Sequence, residues 1–248
     1  MVDMPDREHE RTSHRGRMVG EGSFVGFPEG VVGFLQELAR HNEKAWFEAH
    51  RADYEGFYLE PGRALAADLA DRLTEAEALG PGTRIVGSAF RIFRDTRFSR
   101  DKSPYKTHFG VSFGPQGLGR HEGAGFYFHL DPPRIGLGAG MHGFPKPVLE
   151  AYRIAVADPA RAATIRALIA DAESRGAEIW GKTYKKMPPG YAVAPDDQDL
   201  LLYSGLFAWI DLPIPPELHT ADLLAYCEER YVGLAPLPRW LARLTLAA

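Results

Sequence analysis

The residues best suited to chemistry gather in one stretch. Between Arg84 and Lys106 stand seven bases (Arg84, Arg91, Arg94, Arg97, Arg100, Lys102, Lys106) and two acids, Asp95 and Asp101. That is a net +5 within 23 residues of a chain whose formal charge is −4, so the rest carries −9. Charge segregated in this way keeps a positive field over a Debye length of about 8 Å. Arginine presents a planar fork that matches phosphate or carboxylate. Thr96, Ser99, Ser103 and Thr107 add hydroxyl donors, and Phe98 and Tyr105 add rings for stacking. The segment reads as a site for an anion: phosphate, nucleotide, nucleic acid or carboxylate. Its candidate contacts are Arg91, Arg94, Asp95, Arg97, Asp101, Lys102, Tyr105, Lys106 and His108. The competing reading is a loop held by its own ion pairs, with Asp95 and Asp101 each bridging two arginines.

A second group lies downstream. Tyr127 and His129 alternate with apolar residues and are the candidate acid and base, His129 above all because imidazole titrates near neutral pH. Gly136, Gly138 and Gly140 recur at period two and leave one strand face without side chains, a pattern that marks close approach of a backbone or a ligand. The face is either a pocket floored by glycine or the seat of a tightly packed helix. His108, His121, His129 and His142 show no metal-ligand spacing, and no metal is expected. Gly138–Gly143 matches GxGxxG formally, but Pro145 and Pro147 follow, so no phosphate-binding helix is expected there. Lys182, Lys185 and Lys186 form a smaller basic patch beside Pro188-Pro189-Gly190-Tyr191, and Cys227 reads as a packing residue in a helix.

The elements that must position these groups follow from periodicity. Val31, Phe34, Leu35 and Leu38 mark a first helix, and Asn42 is a plausible cap for a second bearing Trp46, Phe47, His50 and Tyr54. Pro61-Gly62 is expected to break the chain before a third helix with Leu65, Leu69 and Leu73. From residue 84 the period falls towards two. Ile85–Phe93, Thr107–Phe113, Phe126–Leu130 and Ile135–Gly140 read as strands, with a turn at Asp131–Arg134. Phe109, Val111, Phe113, Phe126, Phe128, Leu130, Ile135, Leu137 and Ala139 make the core face. Helices return after Pro147, including one capped by Asp158-Pro159, one led by Thr220 and a last one containing Trp240, Leu241 and Leu244. Residues 181–216 read mostly as loop, with one short helix or strand near Leu200–Phe207. The order helices, strands, helices predicts an α+β fold, an antiparallel β-meander flanked by N-terminal and C-terminal helices, mainly on one face. A single domain over 23–248 is expected, with residues 1–22 a disordered tail.

Composition limits the functional classes. With 45% hydrophobic and 25% charged residues the chain suits a globular protein. One cysteine excludes an internal disulfide framework and a cysteine-rich zinc site. No apolar run approaches the roughly 20 residues that span a bilayer, and no secretory h-region is visible, so a cytoplasmic protein without membrane association is expected.

Phe24-Val-Gly26-Phe27, Asn42-Glu-Lys-Ala-Trp46-Phe47, the run from Arg91 to His108, His121-Glu-Gly-Ala-Gly125-Phe-Tyr127-Phe-His129 and Pro188-Pro189-Gly190-Tyr191 together resemble DUF2461, a family of uncharacterised bacterial and fungal proteins. The resemblance spans about residues 23–245 and implies no activity, substrate or cofactor. The partner expected from the residues is an anionic small molecule. A nucleic acid on the same cationic strip, or a non-catalytic interaction scaffold, is the alternative.

Overall fold

The computed structural model describes residues 23–97, 99–119 and 122–247; the expected tail at 1–22, Phe98 and His121 lie outside them. The chain opens with helix α1 (Gly30–Arg40), whose Val31, Phe34, Leu35 and Leu38 are buried. Helix α2 (Lys44–Ala49) and a short α3 (Arg51–Asp53) lead through a π-helical turn, Tyr54–Leu59, into α4 (Glu60–Glu75). Pro61-Gly62 therefore does not break the chain. Proline sits in the first turn of α4, where its missing N–H costs nothing, and the widened π turn precedes it. Gly62 has a packing reason instead: a Cβ there would meet the Phe109 ring at 2.4 Å.

Strands β1 (Ile85–Ala89), β2 (Phe109–Pro115), β3 (Gly125–Asp131) and β4 (Arg134–Met141) then run as an antiparallel meander. Helices α5 (Lys146–Ala157) and α6 (Pro159–Ser174) follow, with Asp158 accepting from the backbone N–H groups of Ala160 and Arg161. Next come β5 (Glu178–Lys182), a 3-10 helix (Pro195–Leu202) and β6 (Tyr203–Pro213). The 3-10 turn Pro216–His219, α7 (Leu223–Leu234) and α8 (Pro236–Ala247) close the chain. The sheet is antiparallel throughout, in the order β1-β2-β3-β4-β6-β5.

The 3-10 helix and strand β6 thus occupy 195–213, a longer ordered stretch than the short helix or strand expected near Leu200–Phe207. In β6, Leu206, Ala208 and Ile210 are buried on one face, yet Phe207 and Trp209 stand on the other. With apolar residues on both faces the period-two contrast vanishes.

All nine residues assigned to the core face are at most 2% exposed. They join one continuous buried cluster running from Phe24 to Leu244, with side chains from every long helix. Apolar burial of this kind is the main source of stability. The opposite face of the sheet carries no helix in its middle, and this open face defines the site. Among the described residues no helix is long and apolar enough to cross a membrane.

Candidate functional site

The cationic segment is a pinched loop. Phe93 and Tyr105 form an isolated bridge, flanked by Arg94 N–H donating to Pro104 O (2.9 Å) and Lys106 N–H donating to Ile92 O (2.7 Å). Asn42 does not cap α2. Its side chain clamps the neck, donating to Tyr105 O (2.9 Å) and accepting from Tyr105 N–H (3.0 Å). The Tyr105 ring is buried and stacks on Phe47 at 4.1 Å. It anchors the loop and offers no face to a ligand or base.

Beyond the neck both aspartates are paired. Asp95 accepts from the Arg97 guanidinium at 2.7 and 3.0 Å and from its N–H at 3.2 Å, and these bonds lower its pKa to about 2. Asp101 accepts from the Ser103 hydroxyl (2.6 Å) and N–H (2.9 Å) and pairs with Arg94, which together hold its carboxyl far below the usual range. Each aspartate thus engages one arginine, not the two expected. Lys102 donates to Thr96 O and Lys106 to Arg91 O, both at 2.9 Å. Lys182 of the smaller basic patch pairs with Asp199 at 2.7 Å.

The open sheet face is different in kind. Cross-strand register aligns Ser88, Ser112, Tyr127, Gly138 and Trp209 in one row, and Gly110, His129, Gly136 and Asp211 in the next. Neither a bare glycine floor nor a packed helix occupies this face. Side chains of β6 lean across β4 and lie on its glycines. A Cβ at Gly136 would meet the Trp209 ring at 1.9 Å, and one at Gly138 the Phe207 ring at 2.2 Å. Helix α5 opens three residues after Gly143, one residue earlier than Pro147 suggests. Even so, Gly138 and Gly140 are strand residues paired with β3 and β6, which is not a phosphate-loop geometry.

Above this pavement lies a cavity of about 680 Å³. Tyr127, Trp180, Phe207 and Trp209 line it, with Phe90, Ser88 and Ser112 towards β1, Leu118 and Gly119 from the β2–β3 loop, and Met141, His142 and Gly143 at the end of β4. A pocket of this size and apolar character suits a small organic molecule.

One corner carries the polar chemistry. Tyr127 Oη lies 3.2 Å from His129 Nδ1, and His129 Nε2 lies 4.0 Å from Asp131 Oδ2. The carboxylate favours a proton on Nε2, so Nδ1 accepts the tyrosine hydroxyl. The His108 and His129 rings are 4.6 Å apart. Burial lowers the His129 pKa, against the opposing pull of Asp131 and Asp211. Burial first, then His129, Lys106 and Arg94, lower the His108 pKa to about 4. Burial raises Tyr127 to about 12. All three groups are neutral at pH 7. Lys106 links the two regions, with Nζ 5.1 Å from the centroid of Phe90, a cavity residue. The cationic segment and the open face therefore meet at Phe90, Lys106 and His108.

The sequence reading missed Phe90, Phe207, Trp209 and Trp180. The period-two glycines were their signal: a strand stripped of side chains implies that something else lies on it. Cys227 is buried, and burial pushes its thiol well above its ordinary range, as packing requires. No group of three His, Cys, Asp or Glu side chains that could hold a metal occurs among the described residues.

Fold and site define an α+β protein with a one-sided helical core and an aromatic pocket on the open sheet face. The chain belongs to the family described as "Conserved hypothetical protein (DUF2461)", whose model matches residues 30–240. No curated protein and no solved structure matches it.

Proposed function

We propose that this is a small-molecule-binding protein that takes an organic anion in the open-face pocket. One observation carries the reading: the cavity of about 680 Å³ is lined by the Tyr127–His129 pair and by Phe90, beneath Lys106, where the cationic segment ends. The apolar body of the ligand lies on the aromatic pavement. Its anionic group faces Lys106, His108 and His129. The ion pairs of Asp95–Arg97 and Asp101–Arg94 hold the loop in shape, which moves the anion contact from the loop tip to its base. Neutral His129 and Tyr127 are the groups placed to move a proton, His129 as acceptor through Nδ1 once the hydroxyl turns to the ligand. The setting we propose is cytoplasmic.

Native mass spectrometry of freshly purified protein tests this reading. A bound mass retained by Arg97→Ala and lost in Lys106→Ala or His129→Ala is the expected result. Loss in Arg97→Ala with retention in the other two would return the site to the loop tip.

A further inference from the structure

The pocket says more about its ligand than its charge, if the reading above holds. Four rings on the open face share an orientation. Relative to Trp209, the planes of Trp180, Phe207 and Tyr127 are tilted by 21°, 28° and 30°, with centroids 4.9, 6.4 and 6.3 Å away. Rings in the core are set both ways: Phe27 meets Phe109 at 69° and Tyr58 meets Phe109 at 84°, whereas Phe27 and Phe128 lie at 10° and Phe47 and Tyr105 at 17°; on the open face Phe90 stands edge-on to Tyr127 at 89°. Edge-to-face contacts are an ordinary solution for mutual packing. Parallel stacking is another, and on the open face β4 sets it. Gly136 and Gly138 let Trp209 and Phe207 lie down, because any Cβ would lift the ring at a distance no atom tolerates. The strand forgoes side chains that would stabilise it, and what results is a group of roughly parallel rings, Trp180 stacked on Trp209, that line a cavity. Trp180, on edge strand β5, is 40% exposed although it stacks on Trp209.

We infer that the anion bound here carries a flat aromatic or heteroaromatic ring, which stacks parallel to Trp209 with its charged substituent towards Lys106 and His108. A shelf of ring faces recognises planarity, since offset stacking adds to simple apolar burial. A merely greasy ligand gains nothing from the alignment.

Isothermal titration with four probes tests this: naphthalene-2-carboxylate, its fully saturated decalin analogue, 2-naphthamide and inorganic phosphate. Naphthalene-2-carboxylate is expected to bind about tenfold more tightly than the saturated acid, to quench tryptophan fluorescence, and to exceed both the amide and phosphate. Trp209→Leu and, on the more exposed position, Trp180→Leu should narrow the gap between the two acids. Two variants are used because one of them could disturb the sheet; far-ultraviolet circular dichroism identifies it. Equal affinity for both acids overturns the planar ring and leaves the anion site standing. Equal affinity for carboxylate and amide overturns the anion site and leaves the ring. Binding of none of the probes overturns both.

Discussion

At the scale of single residues, the polar corner of the pocket holds its titratable groups neutral. His108 sits between His129 and the positive charges of Lys106 and Arg94, in a partly buried position, and its folded pKa of about 4 lies below the ordinary 6.5. Between those values the unfolded chain binds more protons than the folded one, so stability is full above pH 6.5 and falls as the pH drops towards 4. In His108→Gln this loss should shrink by about 1–2 kcal/mol, a figure discounted for the solvated part of the ring. Urea midpoints of both proteins at pH 7 and pH 4.5 check it; parallel losses would refute it. An anion beside these imidazoles raises their pKa values, so binding takes up protons. Affinity for naphthalene-2-carboxylate should therefore rise as the pH falls from 7 to 5, and titrations in buffers of different ionisation enthalpy should report proton uptake.

At the scale of elements, two devices set the geometry. The first is the clamp from Asn42 to Tyr105, two hydrogen bonds joining residues 63 positions apart. Asn42→Ala removes both and leaves Tyr105 N–H unpaired, at a cost of roughly 1–3 kcal/mol. Denaturant titration measures the cost, and faster proteolysis at Arg97 or Arg100 would show that the loop has lost its neck. The second device is the glycine row of β4. Gly136→Ala places a methyl group where the Trp209 ring lies, so either the ring lifts or the strands part. The expected penalty is about 1–3 kcal/mol, that of an overpacked site, together with a changed tryptophan emission. An unchanged spectrum and unchanged stability would mean that the ring does not rest on β4.

At the scale of the molecule, every long helix packs on one side of the sheet and feeds one buried cluster. We propose that residues 23–248 fold as a single unit. Unfolding in urea should then be one transition, coincident by tryptophan emission and far-ultraviolet circular dichroism. Separate midpoints would divide the chain into independent parts. The same one-sidedness frees the other face. A sheet with helices on both sides could not keep an aromatic shelf open to a ligand.

Much of this was legible in the sequence. Alternation in β2, β3 and β4 showed which residues form the core, because one face is apolar and the other is glycine, serine, tyrosine or histidine. It also placed Tyr127 and His129 on the face that carries the pocket. Strand β6 was legible only as a short helix or strand near Leu200–Phe207, since Phe207 and Trp209 erase the contrast between its faces. The role of Tyr105, a residue amid seven bases whose ring turns inward onto Phe47, was not legible. Charge density marked residues 91–108, but charge has no direction in a linear chain. Only the tertiary structure turned Arg94 and Arg97 onto Asp101 and Asp95, and brought the loop's base at Lys106 and His108 against a pocket built in part by β6, more than 100 residues away. Local pattern is a property of neighbours along the chain; a site is a property of neighbours across the sheet, and register decides which residues those are.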